Sequence, residues 1–116
     1  MNNLLIVEDN TFIRKEIFSA AKKVNAIEEI HVVESLKEAI SFLNKSNVEL
    51  IILDLNLPDG NGLELLRWAK EKQIATKILI FSGSIELKRL CLNYGASAFY
   101  DKAQDFDALI EALKEA

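Results

Sequence analysis

Apolar residues along the chain gather into five short runs, at residues 4–7, 30–33 (interrupted by His31), 50–53, 78–81 and 98–100. Four of the five lack polar alternation, the pattern of strands buried on both faces. Between them the period lengthens to that of a helix. Ile13, Ile17 and Ala21 form one stripe, and Leu36, Ile40 and Leu43 a second. Gly62, Leu66 and Ala69 mark a third, Leu87, Leu90, Cys91 and Tyr94 a fourth, and Phe106, Leu109, Ile110 and Leu113 a fifth. Each stripe has polar residues opposite it, as a helix lying on a sheet requires. Strand then helix, five times over, predicts an α/β fold: a doubly wound parallel sheet covered on both faces and joined by right-handed crossovers. The second strand, in IEEIHVVE, carries the most charge and is expected at an edge, where Glu28, Glu29 and Glu34 discourage pairing with another chain. Pro58, the single proline, lies in the turn signal PDGNG after the third strand.

Composition narrows the functional classes more than it names one. At 116 residues the expectation is one domain, spanning 1–116. A single cysteine, Cys91, excludes an internal disulfide and a cysteine zinc site, and reads as a core or half-buried residue of the fourth helix. With 18 acidic against 14 basic residues and a net charge of -4, nucleic acid and anionic membranes are not expected as direct partners. No apolar run approaches the roughly 18–20 residues of a membrane span, and the start lacks a secretory pattern, so a cytoplasmic location is expected without membrane insertion.

The chemistry is expected beyond the carboxyl ends of the strands, where open parallel sheets bind ligands. Strand one ends in Glu8 and Asp9, strand three in Asp54, strand four in Ser82 and Gly83, and strand five in Asp101 and Lys102. Three carboxylates at close range repel, and a hard divalent cation with oxygen ligands relieves them; Mg2+ suits best. Lys102 supplies a movable ammonium and Ser82 a hydroxyl, both suited to phosphoryl oxygens. A carboxylate nucleophile with a metal, a hydroxyl and a lysine makes a phosphoryl-transfer site with Asp54 as acceptor. Taken singly, the Glu8–Asp9 pair is an ordinary loop or cap, Lys102 a solvated lysine and Ser82–Gly83 a turn. Their joint placement at four strand ends is what points to function.

Together LLIVEDN, LIILDLNLPDGNGLELL, KILIFSGS and GASAFYDKA resemble the receiver domain of two-component response regulators, over the whole chain. The resemblance implies a flavodoxin-like sheet of five strands in the order 2-1-3-4-5, with five helices. It implies that Asp54 takes phosphate from a sensor histidine kinase or a histidine phosphotransfer protein. Glu8, Asp9, Asp54 and the backbone carbonyl of Asn56 are then the Mg2+ ligands, and Ser82, Gly83 and Lys102 bind the phosphoryl group. Ser82 and Phe99 are the switch residues, and the side chains of Asn56 and Ser84 tune phosphoryl lifetime. Output is expected through the face of the fourth helix, fifth strand and fifth helix, with Lys88, Arg89 and Asp105 exposed there; a phosphorylation-dependent homodimer stays open. Such a domain assists its own phosphorylation and dephosphorylation and is not a multiple-turnover enzyme. Three departures stand out. Ala103 follows the lysine where proline is usual, so a trans bond and an altered loop are expected. Asp101 is placed to compete for the Lys102 ammonium, and the switch position holds Phe instead of Tyr.

Two other classes compete. An aspartyl-nucleophile phosphatase of the haloacid-dehalogenase type needs a second aspartate two residues after the first, and Asn56 cannot act as that general acid. A receiver-like interaction module working without phosphate commonly loses one member of the site, and none is missing here. His31, mid-strand, reads as structural or solvated and not as a phosphodonor. Trp68, one step from the third stripe, reads equally as packing or as a contact.

Overall fold

The computed structural model describes residues 2–115. Five parallel strands form one sheet: β1 (Asn2–Val7), β2 (Ile27–Val33), β3 (Leu50–Leu53), β6 (Lys77–Ser82) and β7 (Ala98–Asp101). Their order is β2-β1-β3-β6-β7. A short antiparallel hairpin, β4 (Asn56–Leu57) with β5 (Gly60–Asn61), interrupts the count, and without it the order is the expected 2-1-3-4-5. The helices are α1 (Thr11–Ala21), α2 (Leu36–Lys45), α3 (Leu63–Glu71), α4 (Lys88–Asn93) and α5 (Phe106–Lys114). No helix of the described residues is long and apolar enough to cross a membrane.

Alternate residues of each strand face opposite sides, so each apolar run feeds two cores. Leu5, Val7, Ile51, Leu53, Ile78, Ile80 and Phe99 pack beneath α2, α3 and α4. Leu4, Ile6, Leu50, Ile52, Leu79 and Phe81 pack beneath α1 and α5. The central strand β3 is buried at all four positions, whereas β2 at the edge has none fully buried. Helix starts follow local chemistry: Asn10 accepts the Ile13 N–H at 3.0 Å to open α1, and Ser35 accepts the Glu38 N–H at 3.1 Å to open α2.

Two expectations change in detail. Gly62 precedes α3 as its N-cap instead of joining its apolar stripe. The fourth stripe forms only a six-residue helix, entered through a 3-10 turn at Ile85–Leu87, and within it Cys91 alone is buried. Trp68 is half-buried and packs against the core beneath α3, and the half-exposed His31 lies 4.8 Å ring to ring from Phe42 and 3.2 Å from Glu29 Oε1.

Candidate functional site

The main chain sets the site before any side chain does. Glu8 donates its N–H to Val33 at 3.1 Å, Asp54 to Val7 at 3.0 Å, and Lys102 to Ser82 at 3.1 Å. Each residue therefore hangs one rung past the end of its strand, fixed by the ladder of its neighbour. Because β1 and β3 are adjacent, with Val7 opposite Leu53, Glu8 and Asp54 emerge side by side. Asp9 joins them: one oxygen from each of the three carboxylates lies within 4.8 Å of the others.

Glu8 is 1% and Asp54 3% exposed, whereas Asp9 faces solvent. Lys102 bridges the buried pair, its Nζ 2.9 Å from Glu8 Oε1 and 3.0 Å from Asp54 Oδ2. The free oxygens meet main-chain donors: Asn10 N–H to Glu8 Oε2 at 3.1 Å, and Asn56 N–H to Asp54 Oδ1 at 3.3 Å. Burial pushes the Glu8 carboxyl up and the charge of Asp54 adds to this, although Lys102 opposes both. Burial alone lowers the Lys102 ammonium, but the Glu8 and Asp54 carboxylates it bridges outweigh it, so its pKa lies above that of an ordinary lysine.

One ammonium against three carboxylates leaves the cluster negative. Glu8 Oε1, fully buried, has the Lys102 ion contact but no hydrogen bond of good direction. An oxygen-only donor set with surplus charge and an under-satisfied buried oxygen fits a hard divalent cation such as Mg2+. A hollow of about 200 Å3 touches the site at Lys102, between Phe12, Ile13, Phe81 and Phe106. A larger groove, about 500 Å3 along Val33, Lys37, Phe42 and Lys45, lies on α2, away from the carboxylates.

Other residues singled out by sequence fall around this cluster in different ways. Ser82 is fully buried, and its Oγ accepts the Ser84 N–H at 3.1 Å, which leaves the hydroxyl proton free to donate. Gly83 is exposed, with nothing within 4 Å of where a Cβ would lie. The Asn56 side chain is exposed. Phe99 is turned inward, 9% exposed, in the core beneath α3 and α4. Lys88 and Arg89 are exposed as expected, but Asp105 is not: it is half-buried and accepts the Asp101 N–H at 2.9 Å. Asp101 does not compete for Lys102. Its carboxylate turns the other way, to the Ala103 N–H at 2.8 Å and Gln104 Nε2 at 3.4 Å. Ala103 follows a trans bond, and its N–H closes this turn, a donor proline lacks.

Two contributors escaped the sequence. Arg14, in the first turn of α1, donates to the main-chain oxygens of Glu8 at 3.1 Å and Asp9 at 3.4 Å, bracing the acidic turn from behind. Its one sequence signal is a cation at a helix start, where the macrodipole disfavours it. Gly62 packs on the acceptor itself: a Cβ there would collide with the main-chain oxygen of Asp54 and lie 3.1 Å from Leu55 Cα.

Comparison with known proteins agrees with this geometry. The family model described as the response regulator receiver domain matches residues 4–114. The chain is 28% identical over 117 residues to the transcriptional regulatory protein MalR of Bacillus subtilis, covering 99% of this chain and 50% of that protein. It is 32% identical over 117 residues to the transcriptional regulatory protein DegU of Brevibacillus brevis, covering 96% and 48%. The chain thus spans about half the length of these curated relatives. Among solved structures, the receiver domain of the Francisella response regulator 1452 superposes with a TM-score of 0.88 at 26% identity, covering 99% of this chain and 95% of that one.

Proposed function

The chain belongs to the response regulator receiver domain family of two-component signalling, and from that premise we propose that it takes a phosphoryl group onto Asp54 and switches a partner-binding face in response. The observation that carries this reading is the Lys102 ammonium held between two buried carboxylates from neighbouring strands, at 2.9 and 3.0 Å. A lysine so placed stabilises the resting site and can turn to an incoming phosphoryl oxygen without leaving it.

The donor is a phosphohistidine on a sensor histidine kinase or a histidine phosphotransfer protein. A carboxylate oxygen of Asp54 attacks phosphorus while the P–N bond breaks, and the imidazole nitrogen leaves with the electron pair. Glu8, Asp9, Asp54 and the main-chain carbonyl of Asn56 would hold Mg2+, which when bound supplies counter-charge to the phosphoryl oxygens. Lys102 then pairs with a phosphoryl oxygen, and Ser82 donates its free hydroxyl proton to another. Gly83 leaves room at the strand end, and the exposed Asn56 and half-buried Ser84 side chains govern water access and hence phosphoryl lifetime.

Output belongs to the face of α4, β7 and α5, where Lys88 and Arg89 are exposed. Moving a two-state switch from 1:99 to 99:1 needs about 5.5 kcal/mol of preferential binding. Two charge-assisted contacts, from Lys102 and Ser82 at about 1.5–3 kcal/mol each, supply most of that. We read residues 1–116 as one receiver unit acting in the cytoplasm and assisting its own phosphorylation and dephosphorylation, without multiple turnover on free substrates. A module that signals without phosphate is the second reading.

Incubation with a small acyl phosphate and Mg2+, followed by intact mass, tests the proposal. A single-phosphate adduct is expected on the wild-type chain and none on Asp54→Ala. An adduct that survives Asp54→Ala, or a wild-type chain that takes none, refutes Asp54 as acceptor; the latter outcome with partner binding intact selects the second reading.

A further inference from the structure

Asp59 stands in the turn of the β4–β5 hairpin, five positions after Asp54, and is not one of the clustered carboxylates. Its two oxygens take the main-chain N–H groups that open α2: Oδ1 from Leu36 at 2.8 Å and Oδ2 from Lys37 at 2.9 Å. At its other end the hairpin begins with Asn56, whose N–H reaches Asp54 Oδ1 at 3.3 Å. One paired ribbon, Asn56 against Asn61 and Leu57 against Gly60, therefore runs from the acceptor to a neighbouring helix. The turn has little room to move. At Gly60, with φ +151°, a Cβ would come within 2.9 Å of Leu36 Cδ1 and 2.5 Å of Glu64 Oε2.

α2 does not need Asp59 merely to begin. Ser35 already caps it through Glu38 N–H at 3.1 Å, and Glu38 Oε1 returns to Glu34 N–H at 2.8 Å. The Asp59 bonds are additional, and what they hold in place is the hairpin. We propose that Asp59 is a positioning residue: by clamping the hairpin turn to α2, it sets the main-chain carbonyl of Asn56 where a divalent cation on Glu8, Asp9 and Asp54 requires it. The proposal rests on the metal-dependent reading of the site given above.

Four forms of the full chain separate positioning from stability: wild type, Asp59→Ala, Asp59→Asn and Ser35→Ala. Each is titrated with Mn2+ by calorimetry, and amide hydrogen exchange is followed in the metal-free protein. Loss of an outer partner costs metal sites tenfold or more, so Asp59→Ala is expected to weaken Mn2+ binding roughly tenfold and to speed exchange at Asn56. Asp59→Asn keeps one carbonyl acceptor and falls between. Ser35→Ala removes a cap from the same helix end, lowers the thermal midpoint and leaves Mn2+ affinity unchanged. Equal weakening by Ser35→Ala and Asp59→Ala overturns the proposal, because helix stability alone then explains the effect. Unchanged Asn56 exchange in Asp59→Ala overturns the clamp even if the site takes metal normally. If the wild-type chain binds no Mn2+, the reading of the site fails and the metal-positioning role fails with it, a result separate from the exchange readout.

Discussion

Two connections leave the carboxyl end of the sheet from neighbouring strands, and they are built in opposite ways. The one after β3 carries Asp54 and is tied at every step. Gly62 donates to Leu55 at 2.8 Å, Leu63 N–H reaches Asn61 Oδ1 at 2.9 Å, Asn61 N–H reaches Glu64 Oε2 at 3.3 Å, and Asp59 holds α2. It leads into α3, which buries Leu65, Leu66 and Ala69. The connection after β6 starts from Ser82, the last residue of the strand, and its ties are few: Ser84 N–H to Ser82 Oγ at 3.1 Å and Leu87 N–H to Ser84 O at 3.0 Å. It leads into the short α4 and leaves Ile85 57% and Leu90 39% exposed. A nucleophile must be fixed to react, whereas a switch needs an element that moves at low cost. The fold places one on each side of a strand boundary.

The largest expected contrast is in the helices that follow. Leu65→Ala, at a fully buried position of α3, is expected to cost about 2–5 kcal/mol by equilibrium denaturation. Leu90→Ala on α4 is expected to cost less than about 1 kcal/mol, since its side chain is already partly in water. Equal losses would mean that α4 is as firmly seated as α3, and the division of labour would not hold.

The two glycines come next. Gly62→Ala forces a Cβ against the Asp54 main chain and is expected to cost about 1–3 kcal/mol, with slower formation of the phosphate adduct because the acceptor is displaced. Gly83→Ala meets open space, and its effect is expected to stay within about 0.5 kcal/mol. A costly Gly83→Ala beside a harmless Gly62→Ala would reverse which connection is pinned.

The contrast was only partly legible in the sequence. Unbroken apolar runs gave β1, β3 and β6 directly, because a strand buried on both faces has no polar position to blur it. Strand ends then located Glu8, Asp54, Ser82 and Lys102, since topology alone brings those ends together. The hairpin, the Asp59 clamp and the Arg14 brace stayed hidden, because each depends on which loop faces which helix. Asp59 and Leu36 are 23 positions apart, and no local propensity records their meeting. Of Leu87, Leu90, Cys91 and Tyr94, Cys91 is buried and Leu87 and Tyr94 pack against the core, but Leu90 is 39% exposed, since spacing reports a face and not what covers it. Asp101 misled for a local reason: successive side chains at a strand end point to opposite sides, so the neighbour of Lys102 faces away from the site.

The smallest effect separates the two connections by the chemistry of their ties. Main-chain hydrogen bonds from Lys37 and then Leu36 hold the Asp59 carboxyl below its ordinary value of 3.8, and the Lys37 charge adds to them. A carboxyl depressed on folding binds its proton less readily in the folded chain than in the unfolded one. Its stabilisation is therefore complete above the unfolded value and is lost as pH falls through the lower folded value. The thermal midpoint of the wild-type chain is expected to exceed that of Asp59→Asn by a constant margin from neutral pH down to the ordinary carboxylate range, and the margin should then close in stronger acid. Because Asp59 is exposed, the margin is modest, and added salt should trim the part due to Lys37 while sparing the hydrogen bonds. The corresponding tie after β6 is the Ser82 hydroxyl, which carries no charge in this range, so the effect of Ser82→Ala should not change across the same window. A wild-type margin over Asp59→Asn that stays flat to about pH 2.5 would show that the hairpin is not held by an ionised carboxylate. The acceptor connection would then be pinned by packing at Gly60 and Gly62 alone.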